Sequence, residues 1–123
     1  MATLGNRVFD NGLTVLDTEA NAIHGTSQEA TTYTEATSTY TLGNSTSLSI
    51  NAPADRSGGG RKVTVAAISD GSITADGTAT HYAIVDTTNS RLLATAALTA
   101  SQSVTNGNTF TLATFDIGIP DPA

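Results

Sequence analysis

A chain of 123 residues with 5 Lys and Arg against 11 Asp and Glu carries a formal charge of −6, and only 13% of its residues are charged. So few cations argue against electrostatic binding of nucleic acid. The lack of cysteine removes disulfides and thiolate metal sites, and no stretch approaches the ~18 apolar residues of a membrane-spanning helix. Leu, Ile, Val and Phe together number 25, so the core is thin, while 34 Ser and Thr leave a surface built of hydroxyls. Such a composition fits β-branched residues packed on pleated faces, and either the sheets pack with small residues between them or part of the stability comes from neighbouring subunits.

Residues 1–11 are short and mixed, with Val8 and Phe9 as their sizeable apolar pair, and end at the turn signal Asp10-Asn11-Gly12. They are expected to dock as a terminal segment or to form an N-terminal arm that reaches a neighbour. Leu13, Leu16, Ala20 and Ile23 recur at spacings of three, four and three, as in one short helix. A strand over 13–16 followed by a turn over 17–21 is the alternative. Residues 22–27 read as a weak strand, and 28–41, with Tyr33 and Tyr40, as an extended surface run. Residues 47–50 alternate as a short strand that Pro53 breaks. The stretch 55–62 contains three consecutive glycines and reads as a flexible loop.

From Lys62 the pattern becomes regular. A strand over 62–69, a tight turn at Asp70-Gly71, a strand over 72–75 and a break at Asp76-Gly77 lead into the clearest signal in the chain. There, 78–86 and 91–98 flank a cluster of turn formers, which predicts a hairpin. A weak strand over 102–105 precedes Asn106-Gly107, a pair suited to a type I′ hairpin turn. Phe110, Leu112, Phe115, Ile117 and Ile119 then form a last strand whose parity slips at Ala113-Thr114, as at a bulge. Residues 119–123 make a C-terminal tail. About eight short antiparallel strands, a meander in the second half, predict a single all-β domain over 1–123, a β-sandwich or jelly roll.

Motifs that carry chemistry are incomplete. The glycine loop lacks the lysine–hydroxyl order and following helix of a phosphate-binding loop. His24 and His81 stand 57 positions apart, without the local spacing of a metal site. Asp55, Asp70, Asp76 and Asp86 mark turns and do not form a calcium-loop pattern. Neither catalytic residues, cofactor nor metal are expected, and the reading is non-enzymatic. Arg56, Arg61 and Lys62 place three of the five cations in one loop, where they either meet an acidic patch on a partner or stay solvated.

The opening A-T-L-G-N-R-V-F-D-N-G-L-T-V-L-D-T-E-A-N and the closing segments G-R-K-V-T-V-A-A-I, T-A-T-H-Y-A-I-V-D-T-T-N-S-R-L-L-A and G-N-T-F-T-L-A-T-F-D-I-G-I-P-D-P resemble a family of small virion structural proteins of tailed bacteriophages. The resemblance covers nearly the whole chain and is strongest over 1–20 and 60–122. It implies a virion component, a capsid decoration (cementing) protein or a small tail or fibre module, and it carries no catalytic or ligand residues. The expected partners are the major capsid protein or other virion proteins, together with further copies of the chain, a trimer being favoured. Met1-Ala2-Thr3-Leu4 lacks a basic leader, so synthesis in the host cytoplasm is expected before the chain joins the virion. Val8, Phe9, Arg56, Arg61, Lys62 and Ile119 are the candidate contact residues. The alternative is a module that recognises a host glycan through Tyr33, Tyr40 and Tyr82.

Overall fold

Near the N-terminus the helical spacing prevails over the strand alternative. The computed structural model describes residues 6–120, with side chains from residue 10 onward, and helix α1 runs Asn6–Glu19. Leu13 and Leu16 are buried on one face, while Val15 is exposed. The helix starts seven residues before Leu13 and passes through the turn signal at Asp10-Asn11-Gly12. Half of the expected arm is therefore helical. Burial explains the override: the helix turns Leu13 and Leu16 onto β4. Ala20 and Ile23, expected on the helix, lie beyond its end.

Nine strands follow: β1 Ala22–Thr26, β2 Thr41–Ser45, β3 Ala54–Asp55, β4 Arg61–Val65, β5 Ile68–Ile73, β6 Gly77–Asp86, β7 Arg91–Val104, β8 Thr109–Leu112 and β9 Phe115–Ile119. All pairings are antiparallel, so the all-β class is the one expected. They form a six-stranded sheet in the order β7-β6-β1-β2-β5-β8 and a three-stranded sheet in the order β3-β4-β9. The chain divides into two compact units where the sequence signalled one. Unit 1 holds residues 1–19, 49–67 and 113–123, and unit 2 holds 20–48 and 68–112.

In unit 1, α1 packs on β4. Val63 and Val65 of β4 are fully buried, and they face Ile117 and Phe115 of β9. The opposite face of the sheet carries Lys62, Thr64, Asp116 and Gly118, as strand alternation requires.

In unit 2 the hairpin over β6 and β7 is as predicted. The Asp86 carboxylate accepts from the backbone N–H groups of Thr88 (3.0 Å) and Asn89 (3.3 Å) and from Asn89 Nδ2 (2.8 Å), and Ser90 takes a φ of 55° to close the turn. Asn106-Gly107 also turns, with Gly107 at φ 93°. It does not join hairpin partners, however, because β7 and β8 are the opposite edges of the six-stranded sheet. Residues 105–108 bring those edges together at one end, so the sheet must curl. The Gly107 N–H donates to Ile73 O and the Ile73 N–H donates to Asn108 O, which fixes the turn on the end of β5.

Phe110 fills the inside of that curl and is 1% exposed. Glycines make the room. A β-carbon on Gly25 would lie 2.9 Å from the Phe110 ring, one on Gly71 2.8 Å from Phe110 Cβ, and one on Gly43 2.6 Å from Ser72 O and 2.9 Å from Ile73 Cδ1. Gly25 and Gly43 face each other across β1 and β2. The other face is covered by the segment after β1, where Ala30 and Ala36 bury against Ala22, Ala83 and Val85, with Tyr33, Tyr40 and Leu92 packed around them. With both faces covered, all five residues of β1 are buried.

Three further expectations change. Residues 28–41 do not run extended: a short π-helix, Glu35–Thr39, turns Ala36 into the core. Asp70-Gly71 lies inside β5, at a register shift against β8, and the Asp70 carboxylate accepts from Ser47 Oγ at 2.9 Å and from Ser45 Oγ at 3.4 Å. The slip at Ala113-Thr114 is the point where the chain leaves one sheet for the other, with β8 and β9 as separate strands. Phe110→Ala is expected to lower stability by about 3–5 kcal/mol. Gly25→Ala should cost about 1–3 kcal/mol, since the ring has no space to retreat. Urea denaturation of both variants, with Gly25→Ala/Phe110→Leu recovering part of the second loss, is the measurement.

Candidate functional site

The loop between β3 and β4 is built from residues 56–60, and all three of its glycines take left-handed φ angles of 87°, 103° and 90°. Backbone bonds close it, Arg56 N–H to Gly60 O and Gly59 N–H to Arg56 O, both 3.1 Å. The Arg56 guanidinium folds back over the loop and donates from Nη1 to Gly59 O at 3.0 Å. The glycines are required here, because a β-carbon on Gly60 would collide with the carbonyl oxygen of Ile119.

The neighbouring cations have different fates. Arg61 Nε pairs with Asp10 Oδ1 at 2.8 Å, Nη1 with Asp55 Oδ1 at 2.6 Å, and Nη2 donates to Pro53 O at 3.2 Å. Its hydrogen bonds to Asp10 and then Asp55 raise its pKa. Arg61 thus fastens α1 and β3 to β4. Lys62 Nζ pairs with Asp116 Oδ2 at 3.0 Å, and Thr64 Oγ1 donates to Asp116 Oδ1 at 2.7 Å. The Thr64 hydroxyl first, and Lys62 second, hold Asp116 below the usual carboxylate range. Arg56 is the cation of this loop that has no carboxylate partner among the described residues.

Arg56, Ser57, Lys62, Asp116 and Gly118 line an open polar depression of about 330 Å³ on the outer face of the three-stranded sheet. Gly118 forms its floor: a β-carbon there would lie 2.9 Å from Arg56 Cδ. Two cations and one anion leave the depression with a positive balance on an acidic chain. Chemically it can take a carboxylate on the Arg56 guanidinium, whose Nη1 is already bonded to Gly59 O, with Ser57 beside it.

Of the sequence-derived contact residues, Arg56 and Lys62 meet in this depression and Arg61 does not, being turned to the helix side. Ile119 pairs with Arg61 and is half-buried on that same side. The side chains of Val8 and Phe9 lie outside the described residues. Asp116, Ser57 and Gly118 escaped the sequence reading. The alternation of Lys62 with Thr64, and of Asp116 with Gly118, was the available signal, but which strand pairs with β4 is not written in either segment.

No protein-family model, curated protein or solved structure matches this chain. The remaining candidates are accounted for by packing. His24 and His81 come to neighbouring strands, where His24 faces Ala83 and His81 faces Thr26. Each ring is held by a hydroxyl at 2.8 Å, Thr41 for His24 and Thr80 for His81. Burial lowers the His24 pKa. Tyr82 is buried, which raises its pKa, while Tyr33 and Tyr40 are half-buried and pack one side against the alanine cluster. Among the described residues, no three His, Asp or Glu gather as a metal-ligand group.

Two pH effects follow from these shifts. Asp116 has a depressed pKa, so its contribution is present above the ordinary carboxylate pKa of about 3.9 and is lost as pH falls through the lowered value. The Tm difference between the parent and Asp116→Asn should therefore hold steady near neutrality and shrink below about pH 4, and Thr64→Val should raise the Asp116 midpoint in an NMR titration. His24 works at higher pH. Unfolded histidine takes up its proton near pH 6.5 while the buried ring resists, so stability falls as pH drops below about 6.5. His24→Asn should flatten the Tm change between pH 7.5 and 5.5.

Proposed function

We propose that this chain is a non-enzymatic structural subunit of a tailed-phage particle, a decoration protein that binds the assembled head. The observation that carries the reading is Arg56, a cation of the glycine loop that lines a positive depression and has no carboxylate partner among the described residues. A capsid surface that offers an Asp or Glu would complete it. The neighbouring Lys62–Asp116 pair then restricts the approach to one charge of one sign. The resemblance of the terminal and central segments to virion structural proteins supplies the class of partner, and the all-β architecture with a hydroxyl-rich surface suits a scaffold that coats other subunits.

Binding of this kind acts by mass action. A subunit that recognises only the assembled lattice stabilises it in proportion to its own concentration over its dissociation constant. The contact is a charge pair at a surface, so its affinity falls with ionic strength. Co-sedimentation of the purified chain with assembled heads tests both parts. Arg56→Glu is expected to weaken binding at least tenfold at low salt, with Thr111→Ala, an exposed change outside the depression, altering it little. Retained binding by Arg56→Glu would overturn the depression as the contact, and a parent protein that never sediments with heads would overturn the virion role itself.

A further inference from the structure

Among the described residues, each sheet edge is guarded except one. β3 is two residues long and β8 four, too short to template a foreign strand. β9 is five residues long and carries a charge, Asp116, as its second residue. β7 is 14 residues long and, apart from Arg91 at its start, has no charged residue and no proline. Among the described residues no strand pairs with its outer side. Its partner β6 has ten residues. The surplus is taken up at two places in β7: Leu93, extra opposite the Ile84–Val85 step, and residues 98–101, which stand against Thr80 alone. Between them Ala94, Thr95, Ala96 and Ala97 pair regularly with Ile84, Ala83, Tyr82 and His81.

We propose that the outer edge of β7 pairs with the same edge of a second copy of this chain, antiparallel and about a two-fold axis near Thr95. The argument rests on charge. On a chain of net charge −6, two copies repel at most approaches, and an isologous contact sets each residue against its own segment, so only an uncharged stretch can self-pair along its length. The stretch 92–104 meets that condition. An axis at Thr95 places Thr95 against Thr95 and Ala94 against Ala96 twice. A Thr–Thr pair is a favourable cross-strand neighbour, and the small alanines beside it let the two strands approach. The bulges at either end limit the pairing to the segment between them. About four residues at ~3.3 Å each and a sheet ~10 Å deep give roughly 130 Å² per partner, far under the ~800 Å² of a standard stable interface. The dimer is therefore weak in dilute solution and forms when copies are held close, as on a shared surface.

The test uses the full chain alone, without heads, so it stands or falls independently of the proposed partner. Sedimentation velocity from 10 µM to 1 mM should show a reversible monomer–dimer equilibrium, and Ala97→Lys, which adds a charge to the edge, should weaken it at least tenfold with an unchanged circular dichroism spectrum. Because the chain has no cysteine, Thr95→Cys should give a disulfide-linked dimer under mild oxidation at least five times faster than Thr111→Cys in β8. A parent that stays monomeric at 1 mM, a trimer, a dimer indifferent to Ala97→Lys, or equal crosslinking at both cysteines would each overturn the proposal.

Discussion

The six-stranded sheet depends on one packing event, the burial of the Phe110 ring over a floor from which side chains have been removed. Gly25, Gly43 and Gly71 come from three neighbouring strands, and a β-carbon at any of them would enter the space of the ring, of Ile73 or of a backbone carbonyl. The ring can therefore lie against backbone, which lets β8 fold over β1 and the sheet curl. In a chain with three Phe and no Trp, this is among the largest single burials available, and a thin core has little to replace it.

Unit 1 solves the same shortage of apolar area differently. Its sheet has three strands, one of them two residues long, so it is fastened by charge as well as by Val63, Val65, Leu13 and Leu16. Arg61 joins α1, β3 and β4 through two carboxylates and a carbonyl. Such a tie is specific in direction where small apolar contacts are not, and the planar guanidinium can serve three acceptors at once. The consequence for function is that most of the loop's positive charge is already used inside the unit. Arg56, folded back on the loop carbonyl of Gly59, is left without a carboxylate partner among the described residues.

The two proposed surfaces differ in kind. The depression at Arg56 offers a directional charge to a dissimilar partner. The β7 edge offers backbone and uncharged side chains to an identical one. Contacts of the first kind are sensitive to salt, and contacts of the second are sensitive to inserted charge. A coat subunit benefits from having both, since weak self-pairing adds to lattice binding only once neighbours have been brought together.

The amino-acid sequence by itself determined the all-β class, the hairpin at residues 86–90, the turn at Asn106-Gly107 and the clustering of cations at 56–62. These signals are local: alternation, turn chemistry and composition act over a few residues. Tertiary structure decided the rest. Asn106-Gly107 turns as its residues demand, yet the strands it links are separated by four others, because strand pairing depends on which distant segments share buried area. The slip at Ala113-Thr114 was visible, but its meaning as a change of sheet was not. Residues 28–41 looked polar and extended, and the burial of Ala30 and Ala36 against Ala22 and Ala83 turned them inward. Nothing local marks Gly25 or Gly71 as the floor of a pocket, since the Phe110 ring they make room for lies up to 85 positions away in the chain.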